Sequence, residues 1–192
     1  MVTIGFLVYE QIDLLDLTGP FEVFSLVEKF TGEEKFRLHT IGSSCQKIKT
    51  RGGMSIGVDY TFNDSPKIDI LVLPGGPGVY SLSEETETMN WVKRVHEETK
   101  YTLTVCSGIY FLAKNGYLKN ERVTTHHGDF ETLQNIEPSV IIEKNKKYCH
   151  SGKIISSAGI SSGINMALYA VSKLLDENDA EKIRQWMEYN WS

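Results

Sequence analysis

Ile68-Asp69-Ile70-Leu71-Val72-Leu73 runs directly into Pro74-Gly75-Gly76-Pro77-Gly78. A nearly unbroken apolar run that stops at a proline- and glycine-rich turn is the pattern of a strand covered on both faces of a parallel sheet. Working outward, Thr3 to Val8 is β-branched and aromatic and reads as the first strand, and a helix follows it. Thr18 is the expected N-cap of that helix, with Pro20 in its first turn and Phe21, Phe24 and Val27 along one side. Residues 36–41 read as a second strand. Residues 46–49 and 54–58 flank Arg51-Gly52-Gly53 like a hairpin. Residues 83–100 read as one helix and 102–105 as a strand, and Gly116 is the expected stop of the helix after Cys106. Strands are expected at 140–143 and at 153–156, the latter paired with 147–150 across a Ser151-Gly152 turn. A helix over 161–175 carries Ile164, Leu168, Val171, Leu174 and Leu175 on one face, and a last helix ends near Tyr189. The βα rhythm predicts an α/β sandwich with a mostly parallel central sheet, and a chain of 192 residues without repeats or linkers reads as one domain spanning 1–192.

Composition narrows the function classes. A formal net charge of -5 provides no basic footprint for nucleic acid or for an anionic membrane surface. No apolar stretch approaches the roughly 18 residues of a spanning helix, and the apolar start lacks a basic lead and a cleavage site. The expectation is a cytoplasmic protein with a small-molecule partner, no nucleic acid and no membrane. Three cysteines, Cys45, Cys106 and Cys149, suit a reducing compartment better than a disulfide framework, and no Cys-x-x-Cys pair points to zinc.

The chemistry gathers where strands end. In Leu103-Thr104-Val105-Cys106-Ser107-Gly108 a thiol sits at a strand-to-helix turn, expected to face solvent at a helix N-terminus that favours thiolate. Ligands in such sheets bind beyond the carboxyl ends of the strands, so the loops carrying Asp13 and Asp16, Gly75 and Gly76, and Cys106 and Ser107 are expected to converge. The amides at Gly76 and Ser107 are expected to hold developing charge, and Asp16 to act as cap, as general acid–base, or as both. His126 and His127, adjacent on an extended segment, are expected to point to opposite sides and not to chelate one metal ion, with Asp129 nearby. Cys45 and Cys149 read as packing thiols, and Trp186, Tyr189 and Trp191 as packing or subunit-contact residues.

Asp16-Leu17-Thr18-Gly19-Pro20-Phe21-Glu22-Val23, Leu73-Pro74-Gly75-Gly76-Pro77-Gly78, Val105-Cys106-Ser107-Gly108, Thr124-Thr125-His126 and Met187-Glu188-Tyr189-Asn190-Trp191 occur together and in order. As a set they resemble the ThiJ/PfpI superfamily, and within it the isonitrile hydratase branch. The resemblance implies a flavodoxin-like three-layer sandwich of the class I glutamine amidotransferase type, a homodimer, no metal or organic cofactor, and Cys106 as nucleophile. It implies Asp16 as the acidic partner, where many other members of the superfamily carry glutamate. Ser107 stands where the hydratases usually carry threonine and the protease-like members histidine, which weakens a peptidase reading. His126 matches a histidine common near the nucleophile and is expected to order the site or bind substrate alongside Gly75 and Gly76. The implied reaction is hydration of an isonitrile to an N-substituted formamide through a Cys106 thioimidate. Glyoxalase-like or amidase chemistry of the same cavity is the alternative. A third is a redox or ligand sensor, because the domain also resembles the sensory half of regulators related to the arabinose-operon activator. Those regulators continue past a segment like Met187-Glu188-Tyr189 into a DNA-binding region, and the end at Ser192 is read as arguing against a regulator while leaving a stand-alone redox sensor open.

Overall fold

A computed structural model describes residues 1–190. Its strands, in chain order, are β1 (Val2–Leu7), β2 (Phe36–Gly42), β3 (Ile48–Lys49), β4 (Ser55–Ile56), β5 (Tyr60–Thr61), β6 (Ile70–Leu73), β7 (Tyr101–Val105), β8 (Arg122–Val123), β9 (Ile141–Ile142), β10 (Tyr148–Ser151) and β11 (Ile154–Ser157). The helices are α1 (Leu14–Ser25), α2 (Val27–Thr31), α3 (Val79–Leu82), α4 (Thr86–Glu98), α5 (Tyr110–Lys114), α6 (Phe130–Ile136), α7 (Ser162–Leu174) and α8 (Glu177–Trp186).

A seven-stranded sheet in the order β10-β11-β7-β6-β1-β2-β5 forms the centre. Every pairing in it is parallel except β10 with β11. All four residues of β6 are fully buried, as a strand with helices over both faces requires. Helices α1, α2, α7 and α8 pack on one another in one layer, and α4, α5 and α6 in another. The flavodoxin-like α/β sandwich is therefore the fold. Close approach of α1 to α7 depends on two glycines: a Cβ on Gly19 would meet Ile164, and one on Gly163 would meet Pro20. Because β1 has β6 on one side and β2 on the other, the crevice at the carboxyl ends of β1 and β6 lies where the strand order reverses, the usual place for a ligand in such sheets. Among the described residues no helix is long and apolar enough to cross a membrane.

The hairpin around Arg51 is present as β3 and β4, with Ile48 opposite Ile56. Gly116 sits at φ 79° after α5, and the Tyr117 amide donates to the Leu112 carbonyl, closing the helix as a glycine stop does. Other expectations fail for physical reasons. Helix α1 starts at Leu14, not at Thr18, because burying Leu17 and Asp16 draws the preceding turn into the helix. Thr18 instead donates its hydroxyl to the Leu14 carbonyl inside the helix. The stretch 83–100 is not one helix: α3 ends at Leu82, and α4 begins only after Glu85, which has an extended backbone. The strand expected at 140–143 shrinks to β9, which pairs with β8 in a small separate sheet. Trp186 is largely exposed, with Lys29 over its ring, and Tyr189 donates its hydroxyl to Asn165. Trp191 lies outside the described residues. Cys149 is buried, but Cys45 is exposed and does not pack as expected.

Candidate active site

At the end of β7 the chain makes a 3₁₀ turn, Cys106–Ile109, before α5. Cys106 sits at φ 55°, a left-handed conformation that costs a non-glycine residue on the order of 1–3 kcal/mol and is found where surrounding structure holds it for a purpose. The turn is held from two sides. Thr125 donates its hydroxyl to the Cys106 carbonyl at 2.7 Å, and Gly108 presses against β6 so closely that a Cβ there would stand 2.0 Å from the Leu73 carbonyl oxygen.

The loop after β1 is woven into both neighbours. The Asp13 amide donates to the Gly75 carbonyl at 2.9 Å, and the Arg51 amide of the hairpin donates to Ile12. The Arg51 guanidinium pairs with the Asp13 carboxylate at 2.8 Å. Gly76 adopts φ 133°, and a Cβ on it would meet the Asp13 amide nitrogen at 2.5 Å, so only glycine fits where the two loops cross.

Asp16, in the first turn of α1, is fully buried. One carboxyl oxygen, Oδ2, accepts the Gly75 amide at 3.0 Å, whereas Oδ1 is buried without a hydrogen-bond partner among the described residues. Donor atoms of Asp13, Asp16 and Cys106 lie within 4.8 Å of one another. Burial, reinforced by the Asp13 charge, pushes the Asp16 carboxyl up to about 7, against the opposing pull of the Gly75 amide, the Cys106 thiol and Arg51. No amide of α1 donates to this side chain, so Asp16 is not the helix cap, and its carboxyl is instead tied to the turn after β6 through the Gly75 amide.

Cys106 is 6 % exposed, not presented to solvent. Burial, then the charge of Asp16, raises the thiol well above its ordinary range, and the Ser107 amide at the sulfur offsets only part of this. The expected depressed thiol pKa is thereby overturned: a turn of 3₁₀ followed by a five-residue helix supplies little field, while carboxylates crowd the sulfur.

Gly76 also departs from expectation. Its amide donates to Ser107 Oγ at 3.1 Å, and the Gly75 amide is held by Asp16, so neither N–H is free to receive an oxyanion. The two amides instead fix the acid and the hydroxyl beside the thiol.

A cavity of about 300 Å³ opens over this cluster, lined by Asp13, Arg51, Tyr80, Cys106, His126 and Asp129 among others. His126 and His127 do not point apart: their rings lie 4.2 Å between centroids, because His127 already begins a 3₁₀ turn. The Gly128 amide donates to His126 Nδ1 at 3.1 Å, which leaves the imidazole proton on Nε2. Donor atoms of Cys106, His126 and Asp129 fall within 4.8 Å of one another, the span of a metal-ligand set. Metal-binding histidines usually donate from their second nitrogen, and His126 Nδ1 accepts the Gly128 amide instead, an arrangement that suits a hydrogen-bond donor at Nε2 better than a ligand there. Gly159 closes the far side, where a Cβ would stand 3.0 Å from the sulfur.

Sequence reading passed over Tyr80, Tyr110 and the role of Asp129. Both tyrosine hydroxyls donate to Asp129 Oδ1, at 2.9 and 2.8 Å, from segments 49 and 19 residues away. No local pattern in the sequence announces that meeting.

The DJ-1/PfpI family matches residues 2–173. The chain belongs to the DJ-1/PfpI family. Within that family it is 27% identical to isonitrile hydratase of Pseudomonas putida over 186 residues, 97% of this chain and 78% of the hydratase. A ThiJ/PfpI family protein from Pseudomonas syringae superimposes with a TM-score of 0.87 at 25% identity, over 98% of this chain and 75% of that one. The HTH-type transcriptional regulator GbdR of Pseudomonas aeruginosa is 22% identical over 89% of this chain, which spans 46% of the regulator. The DJ-1/PfpI fold thus serves proteins of different kinds, and the reaction has to be argued from the site.

Proposed function

We propose that the protein is a cysteine-dependent hydratase that converts an isonitrile, R–N≡C, to the N-substituted formamide. The observation that carries this is the buried Asp16 carboxyl beside Cys106, its proton affinity raised to about 7. Likeness to an isonitrile hydratase across nearly the whole chain supports it.

The pair carries out the addition with one shared proton. Asp16, as carboxylate, takes the thiol proton while sulfur bonds to the terminal carbon, then delivers that proton to the same carbon, giving the thioimidate R–N=CH–S. Water then adds its oxygen to the carbon. One of its protons ends on nitrogen, and the other returns to sulfur as the C–S bond breaks and the formamide leaves. Ser107 Oγ, fixed by the Gly76 amide, and the Asp16 carboxyl both close on Gly75, and the hydroxyl orients the acid or the water. Because the working state holds one proton between Asp16 and Cys106, and a second proton binds below about pH 7, kcat/KM is expected to rise with pH through a midpoint near 7. A flat profile between pH 5 and 8 contradicts the shared-proton scheme.

Formamide release from aliphatic and aromatic isonitriles tests the reaction. Turnover by the wild type and its loss in Cys106→Ala are expected; equal rates in both, or none in either, sink the assignment. Methylglyoxal loss, measured alongside, reads out the glyoxalase alternative. That alternative, like amide hydrolysis, develops charge on oxygen, where the Gly75 and Gly76 amides are already engaged. We extend the likeness to a homodimer acting on a small molecule, which sedimentation would measure directly.

A further inference from the structure

Asp129 approaches the thiol in a group separate from Asp13 and Asp16. It is 7 % exposed, lines the cavity, and has a carboxyl oxygen within 4.8 Å of the sulfur and of a His126 nitrogen. Its Oδ1 is held by both Tyr80 and Tyr110, yet Oδ2 accepts no hydrogen bond among the described residues. His126 Nδ1 stands 3.9 Å from Oδ2 and presents a lone pair, because it accepts the Gly128 amide. A carboxylate fixed by two phenols and left open toward a pocket is a receptor for an incoming N–H or cation.

We propose that Asp129 is the second catalytic carboxylate of this site, accepting the N–H that forms on a substrate nitrogen bonded to the carbon attacked by Cys106. An oxygen within 4.8 Å of the thiol leaves room for a nitrogen two bonds from the sulfur to sit at hydrogen-bond distance, about 2.7–3.2 Å, from it. The inference rests on the hydration reading and deepens it. As water adds to the thioimidate carbon, one of its protons passes to the nitrogen, which carries partial positive charge while that N–H forms. Asp129 stabilises that charge, while Asp16 serves the carbon and the water. The arrangement selects substrates whose electrophilic carbon carries nitrogen. A carbonyl compound would build an alkoxide against the same open carboxylate oxygen and be repelled.

The test uses Asp129→Asn, which keeps an acceptor oxygen for the tyrosines and turns an amide donor to the pocket, together with Tyr80→Phe, which removes one of the two phenol donors. Both are made in a Cys45→Ser background so that the exposed thiol does not report. In Asp129→Asn, kcat for isonitrile hydration is expected to fall about 100-fold with KM within about 3-fold of wild type. Tyr80→Phe should lose about 5-fold in kcat, from the loss of one of the two hydrogen bonds that fix the acceptor. A second readout needs no hydration: the ratio of Cys106 modification rates by the cationic aminoethyl and the anionic sulfonatoethyl methanethiosulfonates should drop about 10-fold in Asp129→Asn. A kcat within about 3-fold of wild type in both variants, or an unchanged reagent ratio, overturns the proposal. If the wild type hydrates no isonitrile, the hydration reading fails, and the reagent ratio still decides whether Asp129 receives a cation beside the thiol.

Discussion

Asp16 meets two opposing demands. Catalysis needs a carboxyl that exchanges a proton near neutrality, and burial against Asp13 provides it, yet burial of a charge works against folding. The folded state holds the Asp16 proton up to about 7, whereas the unfolded chain releases it near 3.8. Between these values the native state binds more protons than the unfolded one, so the contribution of Asp16 to stability falls as pH rises through that window and stays unfavourable above it. Asp16→Asn is accordingly expected to be more stable than wild type at pH 8, by roughly 1–3 kcal/mol, with the difference gone below about pH 4. Urea denaturation at the two pH values measures this, and a variant less stable than wild type at pH 8 would show that the Gly75 contact outweighs the buried charge. The same variant loses hydration activity, which separates what the residue does for chemistry from what it costs the fold.

At the scale of elements, the decisive contact is the 3₁₀ turn of Cys106–Ile109 laid against the end of β6. Gly108 makes it possible, and Gly108→Ala would force a methyl carbon to 2.0 Å from the Leu73 carbonyl oxygen and 2.8 Å from that of Pro74. Backbone has to move, so a loss of about 3 kcal/mol or more is expected, read as a lower urea midpoint with unchanged slope. A cost under about 1 kcal/mol would mean the turn yields easily. Signals of this kind are local and therefore legible in the sequence: the apolar run of β6, the glycines after it, the hairpin at Arg51 and the thiol at the turn are each written within a dozen residues. What was not legible depends on distant partners. Burial of Asp16 and Leu17 sets the start of α1, and nothing in the run itself shows that Leu14 precedes it in the helix. The proton affinity of Cys106 was misread because the helix end was visible in sequence, while the carboxylates of Asp13, Asp16 and Asp129 around the sulfur were not. The pinning of Asp129 by Tyr80 and Tyr110 joins three segments that only the fold brings together.

The whole molecule makes the site. Its lining comes from the loop after β1, the hairpin, the turn after β6, the end of β7, the segment 126–129 and Ile160, and in isolation each would lose the hydrogen bonds that hold it. Asp13 depends on Gly75, Arg51 on Ile12, Gly76 on Ser107, and Thr125 on Cys106. Such cross-linking between segments far apart in sequence leaves little scope for the site to open before the sheet does. The burial of Cys106 is thus expected to persist to the global transition. Urea titration followed by far-UV circular dichroism and by alkylation of Cys106, mapped to that residue by mass, should give coincident midpoints, as a two-state molecule requires. A rise in Cys106 alkylation more than about 0.5 M urea below the spectroscopic midpoint would instead show a site that opens on its own. The segment 125–129 would then be a separate cooperative unit, released from the cluster by loss of the Thr125 bond to Cys106 and of the Tyr80 and Tyr110 bonds to Asp129.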